Sequence, residues 1–118
     1  MIHIVDDEKS IRRALTLLAR SANLEIRDFE SAYEFLKSEN IKDDDCLILD
    51  INMPGMNGFD LLKELAETGK KLNVIILTAY DDAANRELAQ KFGVKAFFRK
   101  PVDSGALIDT IKYLNSAV

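Results

Sequence analysis

The sequence predicts an α/β fold in which a parallel five-stranded sheet is covered by helices on both faces. Short apolar runs alternate with longer segments of helical periodicity along the whole chain. Most of these runs are nearly solid rather than alternating, which is typical of strands buried on both faces of a sheet. Strands separated by helices form βαβ units, and their right-handed crossovers make the strands parallel.

Five apolar runs are the predicted strands. Four of them are clear, whereas the second is weak. In chain order the predicted strands span residues 2–5, 25–29, 46–49, 73–77 and 96–98. The spacing between them leaves room for a helix after each strand.

The first three helices are predicted by apolar residues at helical spacing. They cover residues 8–20, residues 31–37 and a segment that begins at Phe59 and stops at Gly69. Residues 52–58 are rich in Pro, Gly and Asn, so they predict a loop between the third strand and the third helix.

The last two helices have recognisable end signals. The fourth is predicted over about residues 82–92, with Asp81 or Asp82 as its N-terminal cap and Gly93 as its stop. Asp103 is the predicted cap of the fifth helix.

Length and composition restrict the function classes. We expect residues 1–118 to form one domain, because 118 residues leave little room for two. A single cysteine, Cys46, excludes an internal disulfide and a cysteine-based zinc site. No apolar stretch approaches the ~20 residues that span a bilayer, and the charge of Asp6 comes too early for the apolar region of a signal peptide.

Because the sequence has neither signal, we expect a cytoplasmic protein. Its net charge of −4 and lack of a basic block argue against direct nucleic-acid binding.

Polar residues follow four of the predicted strands. Asp6 and Asp7 follow the first, Asp50 the third, Thr78 the fourth and Lys100 the fifth. Ligands of open α/β sheets bind outside the carboxyl ends of the strands at a topological switch point, which lies between strands one and three in the order 2-1-3-4-5. We therefore expect these five side chains to meet at one edge of the sheet.

This set of side chains suits metal-assisted phosphoryl chemistry. Three neighbouring carboxylates repel one another, and a divalent cation with oxygen ligands, Mg²⁺ above all, removes that penalty. A carboxylate beside the cation and an ammonium is well placed to attack phosphorus. Each residue alone has an ordinary structural interpretation, as a helix cap, a structural hydroxyl or a solvated lysine. The prediction depends on their joint occurrence.

Four motifs occur in order: Val5-Asp6-Asp7-Glu8, Leu49-Asp50-Ile51-Asn52-Met53-Pro54 with Gly58, Ile76-Leu77-Thr78-Ala79, and Lys100-Pro101. In these motifs and their spacing the chain resembles the receiver domain of two-component response regulators over essentially its whole length. The resemblance implies a flavodoxin-like (βα)5 doubly wound fold with strand order 2-1-3-4-5. It also implies phosphorylation by a partner sensor histidine kinase.

The resemblance implies a phosphoacceptor and a metal site. Asp50 would accept the phosphoryl group. Asp7 and Asp50 would bind Mg²⁺ through their side chains, Asn52 through its backbone carbonyl and Asp6 through a water. The bond before Pro101 would be cis, which a proline allows at modest cost.

The resemblance also implies roles in stabilisation and switching. Lys100 would pair with the phosphoacceptor carboxylate and later with a phosphoryl oxygen, and Thr78 would bind another phosphoryl oxygen. Phe97 matches the switch aromatic, at a position where Tyr is frequent. Asn52 and Tyr80 would flank the approach of water to the phosphoryl group.

The resulting hypothesis is a phosphorylation-activated switch that assists its own phosphoryl transfer and dephosphorylation, and is not a conventional enzyme. The alternative of the same fold is a phosphorylation-independent interaction module, which would usually have lost part of the acidic set or the lysine. A phosphohydrolase of the haloacid dehalogenase type would need a second Asp that Asp50-Ile51-Asn52 lacks. A flavodoxin would need a phosphate-binding loop where residues 6–8 are acidic.

Two surfaces are expected to bind partners. The first helix has more apolar residues than one core-facing stripe needs, and Ala14 and Leu17 would form an apolar rim for a kinase helix hairpin unless they only widen the core face. Phosphorylation would change the surface of helix 4, strand 5 and helix 5 and promote a homodimer. The sequence does not name the kinase, the output or any effector domain after residue 118.

Overall fold

The computed structural model describes residues 1–116, in which five strands alternate with five helices. Strands β1 to β5 span Ile2–Val5, Ile26–Phe29, Cys46–Leu49, Asn73–Thr78 and Ala96–Arg99. Helices α1 to α5 span Lys9–Ser21, Ala32–Leu36, Gly58–Thr68, Ala83–Lys91 and Ser104–Ser116. The predicted elements are confirmed, and their predicted ends differ from these bounds by about one residue.

The five strands form one parallel sheet in the order β2-β1-β3-β4-β5. The predicted fold class, a doubly wound flavodoxin-like sheet, is therefore confirmed. Val5, the last residue of β1, lies level with Phe29 of β2 and Leu49 of β3. The residues that follow β1 and β3 consequently leave the sheet side by side.

Alternate side chains of the central strands supply a core on each face of the sheet. On β3, Leu47 and Leu49 pack towards α2, α3 and α4, whereas Cys46 and Ile48 pack towards α1 and α5. Cys46 is fully buried, as its apolar surroundings predict. Because helices cover both faces, the carboxyl edge of the sheet is the region where polar groups gather.

Side chains fix the ends of the helices. Asp82, rather than Asp81, caps α4 by accepting a hydrogen bond from the Asn85 N–H. Asn57 caps α3 in a reciprocal capping box with Asp60, so α3 begins at Gly58 and the predicted loop 52–58 is one residue too long. No helix within residues 1–116 is long and apolar enough to cross a membrane.

Candidate functional site

β1 and β3 bring two buried aspartates together at the carboxyl edge. Asp6 is 2% exposed and Asp50 is 5% exposed, and the Asp50 N–H donates to the carbonyl of Val5 at 3.1 Å. Asp7 is exposed and follows Asp6 directly. Each of the three aspartates offers a carboxylate oxygen, and these three oxygens lie within 4.8 Å of one another. The predicted convergence of Asp6, Asp7 and Asp50 is therefore observed.

Asp6 is held by hydrogen bonds at both its backbone and its carboxylate. Its Oδ1 accepts from the Glu8 N–H at 2.9 Å and its Oδ2 from the Lys100 ammonium at 2.9 Å. Its N–H donates to the Phe29 carbonyl at 3.1 Å, and its carbonyl accepts from Arg12 Nη1 at 2.8 Å. Arg12 lies one helical turn after the acidic motif, but no sequence pattern marks it as part of the site.

Lys100 is the cation of the acidic cluster. Its Nζ lies 2.9 Å from Asp6 Oδ2, 3.5 Å from Asp50 Oδ2 and 3.6 Å from Glu8 Oε1. The expected pairing with Asp50 is present, but the shorter contact is with Asp6. Burial opposes the charged ammonium, yet the hydrogen bond to Asp6 and the nearby carboxylates outweigh it and raise the pKa of Lys100. The bond from Lys100 to Pro101 is cis, as expected.

The Asp50 carboxyl is difficult to ionise in this setting. Burial, and then the charge of Asp6, raise its pKa to about 6, although Lys100 and the Asn52 N–H oppose the shift. The Asn52 N–H points towards Asp50 Oδ1 at 3.4 Å. The carboxylate is thus ionised at neutral pH at a cost in stability, and an additional cation would relieve that cost.

The donor set suits Mg²⁺. The clustered groups are carboxylates, which this hard cation prefers, and the exposed Asp7 leaves room for the waters that Mg²⁺ usually retains. Asn52 is exposed in the loop that follows Asp50, and its N–H points towards Asp50 Oδ1. These residues fit a bound Mg²⁺.

A close backbone contact sets the position of Asp50 relative to α3. A Cβ atom on Gly58 would lie 2.6 Å from the Asp50 carbonyl oxygen and 3.0 Å from Ile51 Cα. The Gly58 N–H also donates to the Ile51 carbonyl at 2.9 Å. Only glycine therefore allows the loop to return so closely to the end of β3.

Thr78 is the last residue of β4, and Tyr80 lies on the loop between β4 and α4. Thr78 is fully buried, and its Oγ1 accepts from the Tyr80 N–H at 3.1 Å. The Tyr80 carbonyl accepts from the Asn85 side-chain amide at 3.1 Å, which joins the loop to α4. Tyr80 as a whole residue is 57% exposed. The structure thus places Thr78 inside the protein and leaves Tyr80 largely at the surface.

Phe97 is half-buried on β5 beneath an arginine. The Arg86 guanidinium carbon lies 4.7 Å from the centre of the Phe97 ring, a cation–π contact. Arg86 also forms two hydrogen bonds to the Asp81 carboxylate, one of them at 3.0 Å. Arg86 has no sequence signal that predicts this contact, because the contact depends on the packing of α4 against β5.

The predicted apolar rim of α1 is divided between two grooves. Ala14 lines a groove of about 210 Å³ that extends to Pro101 and Val102. Leu17 is 69% exposed and lies in a separate groove with Arg13 and Arg20. Leu17 is therefore a surface residue, which contradicts the interpretation that it only widens the core face.

Comparisons with known proteins agree with this geometry. The family model of the response regulator receiver domain matches residues 2–112. The chain is 39% identical to the transcriptional regulatory protein TdiR of Thauera aromatica over 93% of this chain and 48% of that protein. It is 34% identical to the transcriptional regulatory protein FixJ of Azorhizobium caulinodans over 94% of this chain and 53% of that protein.

A solved structure extends the likeness to three dimensions. The crystal structure of a response regulator receiver protein from Burkholderia phymatum is 37% identical, has a TM-score of 0.82, and covers 96% of this chain and 92% of that one. The chain spans about half the length of the curated relatives it matches. The motifs, the sheet order and the family match together show that the chain belongs to the receiver domain family of two-component response regulators.

Proposed function

We propose that residues 1–118 form a single receiver domain that accepts a phosphoryl group on Asp50 from a sensor histidine kinase in the cytoplasm. The observation that carries the proposal is the environment of Asp50. It is a buried carboxylate within a cluster of three aspartates, and its Oδ2 lies 3.5 Å from the Lys100 ammonium. The family is one of signalling proteins, and its receiver domains are phosphorylated by such kinases.

The metal ligands would be the side chains of Asp7 and Asp50, the carbonyl of Asn52 and, through a water, Asp6. Bound Mg²⁺ would offset the carboxylate charges and stabilise negative charge that develops on the phosphoryl oxygens. Asp6 would contribute without direct coordination, because Glu8 and Lys100 already engage its two oxygens.

Asp50 acts as the nucleophile in the proposed transfer. One of its carboxylate oxygens forms a bond to phosphorus while the bond to the donor's leaving atom breaks, and the leaving group takes the electron pair. A pKa of about 6 leaves this carboxylate mostly ionised at neutral pH. Lys100 is close enough to move from Asp6 to a phosphoryl oxygen, and the same geometry serves hydrolysis when water is the attacking group.

The proposed output is a change in the surface of α4, β5 and α5. The Thr78 hydroxyl would turn towards the phosphoryl group, and Phe97 would turn inward, away from Arg86. The cation–π contact between Arg86 and Phe97 would then be lost. A partner, or a second copy of this chain, that binds the changed face would shift the equilibrium by its differential affinity. With a net charge of −4, this segment is not proposed to bind DNA itself.

Labelling with a small phosphodonor tests the proposal. Wild-type protein incubated with Mg²⁺ and acetyl phosphate should gain the mass of one phosphoryl group, and Asp50→Asn should gain none. Beryllofluoride, a phosphoryl mimic, should shift the amide resonances of Phe97 and α4 as well as those of the acidic cluster. Equal labelling of wild type and Asp50→Asn, or no labelling of either, would contradict the assignment. Shifts confined to the acidic cluster would contradict the proposed output.

A further inference from the structure

We propose that Arg12 is a positioning residue that orients the peptide between Asp6 and Asp7, so that Asp7 presents its carboxylate to a divalent cation. This inference rests on the proposed role of the acidic cluster in binding Mg²⁺. It adds a basic residue on α1 to a site otherwise formed at the ends of the strands.

The Arg12 side chain links α1 to the ends of two strands. It is only 12% exposed, although it belongs to the second turn of the helix. Its Nη1 donates to the Asp6 carbonyl at 2.8 Å, and its Nε donates to Asp28 Oδ2 on β2 at 3.1 Å. The planar guanidinium makes both contacts from one rigid fork, which a lysine cannot reproduce.

The carbonyl that Arg12 holds determines the direction of the next residue. The Asp6 carbonyl and the Asp7 N–H share one rigid peptide plane. The other bonds of Asp6 fix its N–H and its carboxylate, through Phe29, Glu8 and Lys100. The hydrogen bond from Arg12 therefore restrains the remaining rotation, which is about the Asp6 Cα–C bond. This rotation sets the position of the Asp7 Cα, from which the exposed side chain extends.

Electrostatics alone predicts the opposite effect on cation binding. A guanidinium close to a cation site repels the incoming cation, so loss of Arg12 should strengthen Mg²⁺ binding if only charge mattered. The ion pair with Asp28 offsets part of this repulsion. A positioning role predicts weaker binding, because Asp7 would have to be ordered when the cation binds. The direction of the change thus separates the two effects.

The test measures Mg²⁺ affinity and stability separately. Mg²⁺ alone is titrated into wild type, Arg12→Ala, Arg12→Lys and Asp28→Asn by calorimetry, and unfolding by urea is measured in EDTA. We expect both Arg12 variants to bind Mg²⁺ about tenfold more weakly, which corresponds to about 1.4 kcal/mol. Asp28→Asn, the matched control, keeps Arg12 and an acceptor oxygen and should stay within about twofold of wild type.

Each outcome decides the inference. Unchanged or tighter Mg²⁺ binding in the Arg12 variants overturns it, whatever happens to their stability. A similar loss of affinity in Asp28→Asn also overturns it, because the whole cluster would then depend only on general packing. If Arg12→Ala does not fold, Arg12→Lys decides. A wild-type chain that does not bind Mg²⁺ overturns the proposed function as well, which distinguishes that failure from a failure of this inference alone.

Discussion

The Lys100 ammonium lies closer to Asp6, at 2.9 Å, than to Asp50, at 3.5 Å. The Lys100 ammonium is thus shared among several carboxylates, and it compensates Asp50 only in part. The carboxylate oxygens of Asp50 are therefore not fully engaged by the lysine, as the proposed role of Asp50 as nucleophile requires.

Replacing Asp50 by Asn should stabilise the metal-free protein. Burial and the charge of Asp6 raise the Asp50 pKa to about 6, so the ionised carboxylate destabilises the folded state at neutral pH. The isosteric amide removes that charge, and the gain has an upper limit of about 3 kcal/mol. Urea unfolding in EDTA at pH 7.5 measures it.

The pH dependence provides the control for Asp50→Asn. The pKa of Asp50 is higher in the folded state than in the unfolded state, so ionisation of Asp50 lowers the stability of the wild type above a pH of about 6. This loss of stability disappears as the pH falls towards the ordinary pKa of 3.8. The difference between variant and wild type should therefore shrink between pH 7.5 and pH 4. A constant difference over that range would show that ionisation of Asp50 is not its cause.

His3 should titrate below its ordinary pKa of 6.5. Burial lowers its pKa and outweighs the hydrogen bond and charge of Asp45, whose Oδ2 lies 2.9 Å from Nε2. Its Nδ1 is buried with no hydrogen-bond partner among residues 1–116, so a proton there would lack an acceptor. His3 is the single histidine, so its ring resonances report the pKa directly by NMR.

The contribution of His3 to stability should accordingly fall as the pH drops below 6.5, because the unfolded chain then binds the proton that the folded protein resists. This trend is opposite to that of Asp50, so comparison of wild type with Asp50→Asn separates the two. Asp45→Asn should lower the pKa of His3 further, since Asp45 favours the charged imidazole. A His3 pKa at or above 6.5 in wild type, or an increase in Asp45→Asn, would contradict this account.

The sequence was sufficient for the fold and for the composition of the acidic edge. Solid apolar runs ending in Asp50 and Thr78 predict parallel strands buried on both faces, and the carboxyl ends of such strands lie at one edge of the sheet. Helix ends were predictable where a cap such as Asp82 is local in sequence. Such signals require only residues that are near neighbours along the chain.

Other contacts between distant elements, away from the carboxyl edge, were not predictable. The packing of Arg86 on Phe97, and the separation of Ala14 from Leu17 into two grooves, depend on how helices dock on the sheet. The link from His3 to Asp45 joins two strands and has no local pattern. A single sequence has no local pattern that identifies such contacts, because they form only when the elements of the fold pack together.

Gly58→Ala should impair folding and labelling together. The new Cβ would lie 2.6 Å from the Asp50 carbonyl oxygen, so the end of β3 or the start of α3 must shift. Such overpacking costs typically ~1–3 kcal/mol. Urea unfolding and acetyl phosphate labelling measure the two effects.

Gly105→Ala is the matched control for Gly58→Ala. It also lies in the first turns of a helix, but its Cβ would meet only Asp103 Oδ1, at 3.4 Å. Alanine should therefore be neutral or stabilising there, by up to about 1 kcal/mol. Equal loss of stability in the two variants would contradict the role assigned to the contact between Gly58 and Asp50.

Leu17→Glu should reduce phosphotransfer from a histidine kinase and spare labelling by acetyl phosphate. Leu17 is 69% exposed, so its loss should not disturb the core. The new carboxylate would lie one turn from Arg13 and Arg20, which favours the helix. Loss of an interface anchor costs about 1–2 kcal/mol, or roughly tenfold in transfer rate at low protein concentration. Equal loss with both donors would indicate a folding defect instead.

Tyr80→Ala should shorten the lifetime of the phosphorylated protein. Hydrolysis needs a water in line with the bond between Asp50 and phosphorus, and we expect the Tyr80 ring to shield that approach. Neither Tyr80 nor the amide of Asn52 offers the general base that would speed the step, so wild type should dephosphorylate slowly. Tyr80 is 57% exposed, while its backbone is anchored by Thr78 and Asn85. Phosphate release after removal of the donor measures the rate, and Tyr80→Phe, which keeps the ring, should decay like wild type. Decay of Tyr80→Ala at the wild-type rate or slower would show that the ring does not shield the phosphoryl group.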